Sequence, residues 1–125
     1  MYVPQRMDDF AWESDRIAFR MYGKALEVET VSSGVDVWVK SVRYPVIEKW
    51  YKLNDYHKDH GEGLDFYKVG PTRGCGGLAV WHNGELYGSR NYRTHKVIAN
   101  GPLRTIFELG YEPWQAGDRT IREVK

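Results

Sequence analysis

GLAVWHNGELYGS, residues 77–89, sets Leu78, Val80 and Trp81 before an Asn83-Gly84 pair and Leu86 and Tyr87 after it. Asn and Gly both tolerate the positive φ of a tight type I′ turn, so an Asn-Gly between apolar runs is the strongest short hairpin signal. The flanking sequence extends the pattern. THKVIAN (94–100) and LRTIFELGYEPW (103–114) form a second strand pair around Asn100-Gly101-Pro102. Alternation in the latter puts Leu103, Thr105, Phe107 and Leu109 on one face, against Arg104, Ile106 and Glu108. RTIREVK (119–125) reads as a last strand after the Gly117-Asp118 turn.

Upstream, IAFRMYG (17–23) alternates as a strand with Ile17, Phe19 and Met21 on one face. GVDVWVK (34–40) does so more cleanly: Val35, Val37 and Val39 face one way, and Asp36, Trp38 and Lys40 the other. This predicts a half-buried strand with Trp38 on its more polar face. YPVIEKWYK (44–52) is the one helical pattern. Pro45 suits the first helical position, and Val46, Trp50 and Leu53 fall on one face. A helix this short depends on packing for its stability. Five or six hairpin-connected strands, with at most one short helix near residues 45–53, predict a mainly β protein. The expected architecture is an antiparallel β-sandwich or part of one.

The 125 residues suit one domain. The last strand ends without a closing turn, and a chain stopping mid-sheet leaves an open edge. The expectation is therefore a single β domain over 1–125 that is an incomplete copy of a longer one, or that pairs with a second copy through its sheet edges. With 18 basic and 17 acidic residues interspersed, no footprint for nucleic acid or an anionic membrane is present. Cys75 is the one cysteine, so no internal disulfide forms. The first residues carry no signal-peptide apolar region, and no apolar run is long enough to span a bilayer. Aromatic residues reach 14%, which suits a β core and also the flat platforms on which sugar rings stack.

Chemistry-bearing side chains concentrate in DYHKDHGEGLDFYKVGPTRGCGG, residues 55–77. His57-x-x-His60-x-Glu62, followed by Asp65 and Tyr67, has too few ligands at recognisable spacing for a metal, and Gly61 and Gly63 oppose a helical His pair. Acid–base chemistry fits better: histidine is poised near neutral pH, and Tyr56 or Tyr67 can exchange the proton. The alternative is a solvated polar loop. PTRGCGG (71–77) lacks the Gly-Lys-Ser/Thr and the helix of a phosphate loop. Arg73 could hold a substrate carboxylate or simply serve a turn, and Cys75 has no catalytic context. DDFAWESDRIAFRMYG (8–23) mixes Trp12 with Asp8, Asp9, Glu13, Asp15, Arg16 and Arg20, a composition suited to a sugar cleft or to internal ion pairing before the first strand. Arg43 and Tyr44 follow the 34–40 strand and could reach a site at its end.

DDFAWESDRIAFRMYG, SGVDVWVK with RYPVIEKWY, YHKDHGEGLDFYKVGPTRGCGGLAVW and NGPLRTIFELGYEPW resemble, in collinear blocks over roughly residues 4 to 115, the bacterial domain of unknown function 4861. The resemblance implies a carbohydrate-active protein of a secreted or periplasmic family, associated with the breakdown of uronic-acid polysaccharides. It also implies that this chain is the N-terminal part of the usual domain. Trp12, Glu13, Asp15, Arg16, Arg43, Tyr44, Tyr56, His57, His60, Glu62, Asp65, Tyr67 and Arg73 lie in the matching blocks. Two functions follow as expectations. In the first, an enzyme acts on uronic-acid-containing oligosaccharides. For β-elimination, His57 or His60 is the base, Tyr56 or Tyr67 the acid, and Arg73 or Arg43 the carboxylate clamp. For hydrolysis, Glu62 and Asp65 are the carboxylate pair. Tyr44 and Trp12 complete the substrate contacts. In the second, a non-catalytic carbohydrate-binding sandwich exposes Trp38, Trp50 or Trp81; an inactive fragment is the third possibility. Neither a cofactor nor a bound metal is expected.

Overall fold

The computed structural model describes residues 1–124; Lys125, the end of the expected final strand, lies outside the described residues. At the centre is a five-stranded antiparallel sheet whose strands lie side by side in chain order: β1 (Tyr2–Val3), β2 (Asp9–Glu13), β3 (Ile17–Met21), β4 (Asp36–Lys40) and β5 (Gly63–Asp65). Phe10 pairs with Met21, Trp12 with Phe19, Arg20 with Asp36, and Trp38 with Asp65. Three of these strands fall outside the sequence expectation. β1 and β5 are too short for any periodicity to show. β2 lies where ion pairing ahead of the first strand was expected, because its alternation of Phe10 and Trp12 with Asp9, Ala11 and Glu13 is masked by the acidic residues. β5 sits inside the glycine-rich 55–77 stretch. Gly63 adopts φ +111°, and a Cβ there would approach the Val39 carbonyl oxygen to 1.9 Å, so only glycine lets this edge strand close on β4.

The helix α1 (Ile47–Leu53) crosses one face of the sheet. It begins two residues after Pro45, which therefore precedes the helix instead of opening it. No side chain of its own caps it. Glu13 of β2 does so instead, accepting the Val46 and Ile47 backbone N–H groups at 2.9 and 3.2 Å. The inward face is Ile47 and Trp50 behind the buried Val46, and Asn54 closes the helix in the left-handed conformation. Leu53, expected to face inward, is 52% exposed because it occupies the final turn, off the 47–50–51 stripe.

Beneath the helix lies the main core: Ala11, Ala18, Trp38, Val46, Ile47, Trp50 and Tyr56. The Trp38 indole stacks on the Tyr56 ring at 5.0 Å and meets Trp50 at 5.6 Å and Tyr51 at 5.3 Å. The strand 36–40 alternates as expected, but its burial is the reverse of a simple polarity reading. Asp36, Trp38 and Lys40 are buried, Trp38 against α1, whereas Val39 is 46% exposed. The reason is ionic: this face of the sheet carries Arg20 and Asp9 as well, and these charges bury one another.

After the core sheet come three hairpins, which among the described residues form separate two-stranded sheets. β6 (Ala79–His82) and β7 (Glu85–Gly88) turn at Asn83 and Gly84, whose φ values of 50° and 83° are those the Asn-Gly signal requires. β8 (Thr94–Asn100) and β9 (Thr105–Gly110) form the second expected pair, with a bulge between Val97 and Ala99. β10 (Trp114–Ala116) and β11 (Arg119–Ile121) form the third, so the last strand is shorter than the expected 119–125 span and pairs with the 114–116 segment. Phe107 and Leu109 of β9 join Phe10, Met21 and Tyr92 on the second face of the sheet, where Phe107 lies 4.8 Å from both Phe10 and Trp12. Leu103, expected to share that face, precedes β9 in the turn and is fully exposed. The fold is mainly β, built of antiparallel strands with one α-helix among the described residues, as the sequence implied. Among the described residues no helix is long and apolar enough to cross a membrane.

Truncating the buried Trp38 to Ala is expected to cost about 3–5 kcal/mol of unfolding free energy. Leu53→Ala is expected to cost less than about 0.5 kcal/mol. Urea unfolding followed by tryptophan fluorescence compares the two directly.

Candidate functional site

Arg20 organises the charged face. Its Nε donates to Asp36 Oδ2 at 2.9 Å and its Nη2 donates to the same oxygen. Nη2 also reaches Asp65 Oδ2 at 3.3 Å and the Tyr22 hydroxyl at 3.2 Å. Nη1 donates to the Tyr56 hydroxyl at 3.1 Å and lies 3.6 Å from Asp9 Oδ2. The guanidinium also sits over the Trp38, Tyr22 and Tyr56 rings at 5.0, 4.8 and 5.1 Å. Each aspartate has further donors. Trp38 Nε1 and the Val37 N–H serve Asp36, both at 3.0 Å, and the Tyr51 hydroxyl serves Asp9 at 3.0 Å. Burial alone would lower the Arg20 pKa, but Tyr22, Asp36 and Asp9 outweigh it and raise it, so the cation is permanent.

One guanidinium cannot neutralise three buried carboxylates. Burial pushes Asp9 up to about 6, against the pull of Arg20 and the Tyr51 hydrogen bond. Asp65 is likewise pushed up to about 6 by burial and by the Asp36 charge, with Arg20 and His57 opposing. Burial also raises the Tyr22 and Tyr51 phenols, which remain protonated; Tyr22 accepts from Arg20 and Tyr51 donates to Asp9.

Two groups join this centre from its rim. His57 turns Nδ1 toward Asp65, 3.2 Å from its carbonyl oxygen and 3.5 Å from Oδ2, while its side chain is 61% exposed. Arg6 donates Nη2 and Nε to the Tyr56 hydroxyl at 3.0 and 3.3 Å. Tyr56 therefore links the two arginines through its oxygen, and its ring packs 4.9 Å from the His57 ring.

Of the residues singled out in the sequence, the structure brings His57, Asp65 and Tyr56 together and sends the others elsewhere. His60 faces Asp55, with Nε2 3.2 Å from both its carbonyl and carboxylate oxygens. Glu62 is buried on the α1 side, where Lys49 at 2.8 Å, Tyr44 and Trp50 Nε1 at 3.2 Å hold its carboxylate. The Lys49 and Tyr44 hydrogen bonds bring Glu62 down to about 2, which keeps it ionised at neutral pH. Tyr67 donates its hydroxyl to the Val35 carbonyl at 3.2 Å. Thus His57, His60, Glu62 and Tyr67 do not converge on one cleft. Arg43 pairs with Asp15, whose other neighbour is Arg16 at 3.8 Å. Arg73 is spent on Ser33 Oγ at 2.6 Å and on the Leu78 and Pro71 carbonyls. Trp12 stacks on Phe19 at 5.4 Å on the second face of the sheet, and Glu13 is the helix cap. Trp38 and Trp50 are buried, whereas Trp81 is 69% exposed, so two of the three indoles expected on an exposed binding face are core. Cys75 is exposed. Among the described residues no group of three or more His, Cys, Asp or Glu side chains is placed to hold a metal ion.

Sequence reasoning named Asp9 and Arg20 only within a mixed cluster, and missed Asp36 and Arg6. The available signal was Arg20 and Asp36 at matching positions in adjacent alternating strands.

A mainly β domain whose sheet buries a guanidinium among aspartates, with an exposed histidine on its rim, defines the class structurally. The chain belongs to the family described as Domain of unknown function (DUF4861), whose model matches residues 1–125. It is similar to an uncharacterized protein, P7, of Formosa agariphila, with 46% identity over 137 aligned residues covering 99% of this chain. The chain spans 35% of that relative's length. No solved structure matches it.

Replacing Arg20 with Leu leaves three buried carboxylates facing one another, at an expected cost of about 3–5 kcal/mol. Asp65→Asn provides a pH test. The folded-state value near 6 lies above the ordinary 3.8, so the stabilisation from protonated Asp65 is complete below the ordinary value and lost as pH rises through 6. The melting temperature of Asp65→Asn relative to the parent should therefore rise across that interval and level off above it. A difference that stays flat with pH would contradict the assignment.

Proposed function

We propose that the protein acts on uronic-acid-containing oligosaccharides by β-elimination, with His57 as the general base and Asp65 as the group that positions it. The observation carrying this reading is the His57–Asp65 pair. A buried carboxylate faces Nδ1, and the opposite edge of an exposed imidazole is free to meet a substrate. A carboxylate behind an imidazole fixes the ring's orientation and stabilises the imidazolium once a proton is taken. Hydrolysis by a carboxylate pair is less well supported, because Glu62 is fully engaged on the α1 side.

In the elimination, His57 Nε2 removes the proton on the carbon α to the uronate carboxylate. The released electron pair forms the new carbon–carbon double bond as the bond from the β-carbon to the glycosidic oxygen breaks. The departing oxygen takes its proton from water, because the Tyr56 hydroxyl is buried and held by Arg20 and Arg6. The products are an unsaturated uronate and a saccharide with a new reducing end, so protons and electrons balance. The substrate class, and a periplasmic or extracellular setting, rest on the family resemblance.

The test is incubation with a panel of galacturonate and glucuronate oligosaccharides, following ultraviolet absorbance of the unsaturated product together with new reducing ends. His57→Ala is expected to lower turnover by about 10²-fold or more. Reducing ends without the chromophore, or turnover undiminished in His57→Ala, would overturn the proposal.

A further inference from the structure

Elimination next to a carboxylate needs a cation on that carboxylate as well as a base. The two arginines that the sequence offered for this task are occupied, Arg43 by Asp15 and Arg73 by a hydroxyl and two carbonyls. Arg6 is not. Its guanidinium meets Tyr56 through Nε and Nη2, and among the described residues no carboxylate lies within ion-pair distance of it. Three of its five N–H groups remain to bind a ligand.

Arg6 also lines a groove of about 520 Å³ between the N-terminal segment and α1, together with Tyr2, Gln5, Tyr51, Lys52 and Asn54. That volume lies in the range of small-molecule sites. Glu48, which also lines the groove, matches the Lys52 ammonium at 2.8 Å, and the Met1 α-ammonium donates to the Ala11 carbonyl oxygen, so among the described residues Arg6 is the side-chain cation of the lining without a carboxylate partner. Its position relative to the base is set by one side chain: Tyr56 holds Arg6 at its hydroxyl and touches His57 with its ring. A planar guanidinium held along one edge presents its remaining donors in the geometry that a carboxylate accepts in pairs.

We infer that Arg6 is the carboxylate-binding residue of an acidic-sugar subsite in this groove. The inference rests on the uronate reading above and assigns within it a residue that neither the sequence pattern nor the family resemblance indicates. It requires a carboxylate on the sugar and distinguishes that group from a sulfate or a neutral hydroxymethyl at the same position.

Isothermal titration of the whole chain with a galacturonate trisaccharide tests it, beside the carboxyl-reduced neutral trisaccharide and a sulfated neutral one. The uronate is expected to bind most tightly. Arg6→Ala should weaken its binding about tenfold or more, bringing it to the level of the neutral sugar, and Arg6→Lys should restore part of the loss. Because Arg6 also supports Tyr56, thermal melts of both variants accompany the titration; Arg6→Lys keeps the charge if Arg6→Ala fails to fold. No uronate binding by the parent chain, uronate affinity unchanged in a folded Arg6→Ala, or equal binding of the neutral or sulfated sugar would each overturn the inference. Its failure is separable from that of the proposed function. Turnover that depends on His57 with affinity indifferent to Arg6 sinks only the clamp, and Arg6-dependent binding without an unsaturated product sinks only the elimination.

Discussion

Arg20 is buried, and the rest of the sheet is arranged so that it can be. Taking a guanidinium out of water costs several kcal/mol, which is recovered only if nearly every donor is matched and counter-charge lies close. Both conditions hold. Asp36 is its cross-strand partner, Asp65 comes from the next strand, and Asp9 from the strand on the other side. The flanking strands β2 and β4, and β5 beyond β4, thus contribute one carboxylate each, and α1 with its following residues closes the site with Trp50, Tyr51 and Tyr56. Small Ala11 and Ala18 beneath the helix leave the space that the Trp38 indole fills. Packing and charge are coupled here: Trp38 is a core side chain by burial and a hydrogen-bond donor to Asp36 by its nitrogen.

The parts of this architecture legible in the sequence are those with local causes. Asn83-Gly84 specifies its own turn, and the 94–110 hairpin follows from alternation on either side of Asn100-Gly101. The helix was legible from its apolar spacing, though not where it begins, because its cap comes from Glu13 on a distant strand. The burial of β4 was not legible. Asp36, Trp38 and Lys40 look like the solvent side of a strand unless Arg20, sixteen residues earlier, and Asp65, forty-five residues beyond Arg20, are known to share their face. Pattern reading assigns polar residues outward, and a satisfied ionic core inverts that assignment.

The same distinction applies to the site. The 55–77 stretch did contain the residues that reach the charged centre, His57, Asp65 and Tyr56. Density in sequence nevertheless did not become convergence in space. Within this stretch β5 sends Asp65 inward, while Glu62 just before it turns to Lys49 and Trp50. Farther on, the stretch is stitched to Val35, which accepts from Cys75 N–H at 2.9 Å and from the Tyr67 hydroxyl. A long polar connection is thereby held against β4 along much of its length. His57 consequently stands on a fixed support with its ring in solvent, and Arg6 approaches the same tyrosine from the opposite end of the sheet's chain order.

The shared guanidinium also bears on how this family can change over time. Asp9, Asp36 and Asp65 share the one Arg20 guanidinium, so altering one of the four changes the cost of altering each of the others. Single steps away from the present set pass through intermediates with an uncompensated buried charge, whereas a joint exchange for apolar residues does not. A change at one of these four positions is therefore cheapest when the other three change with it.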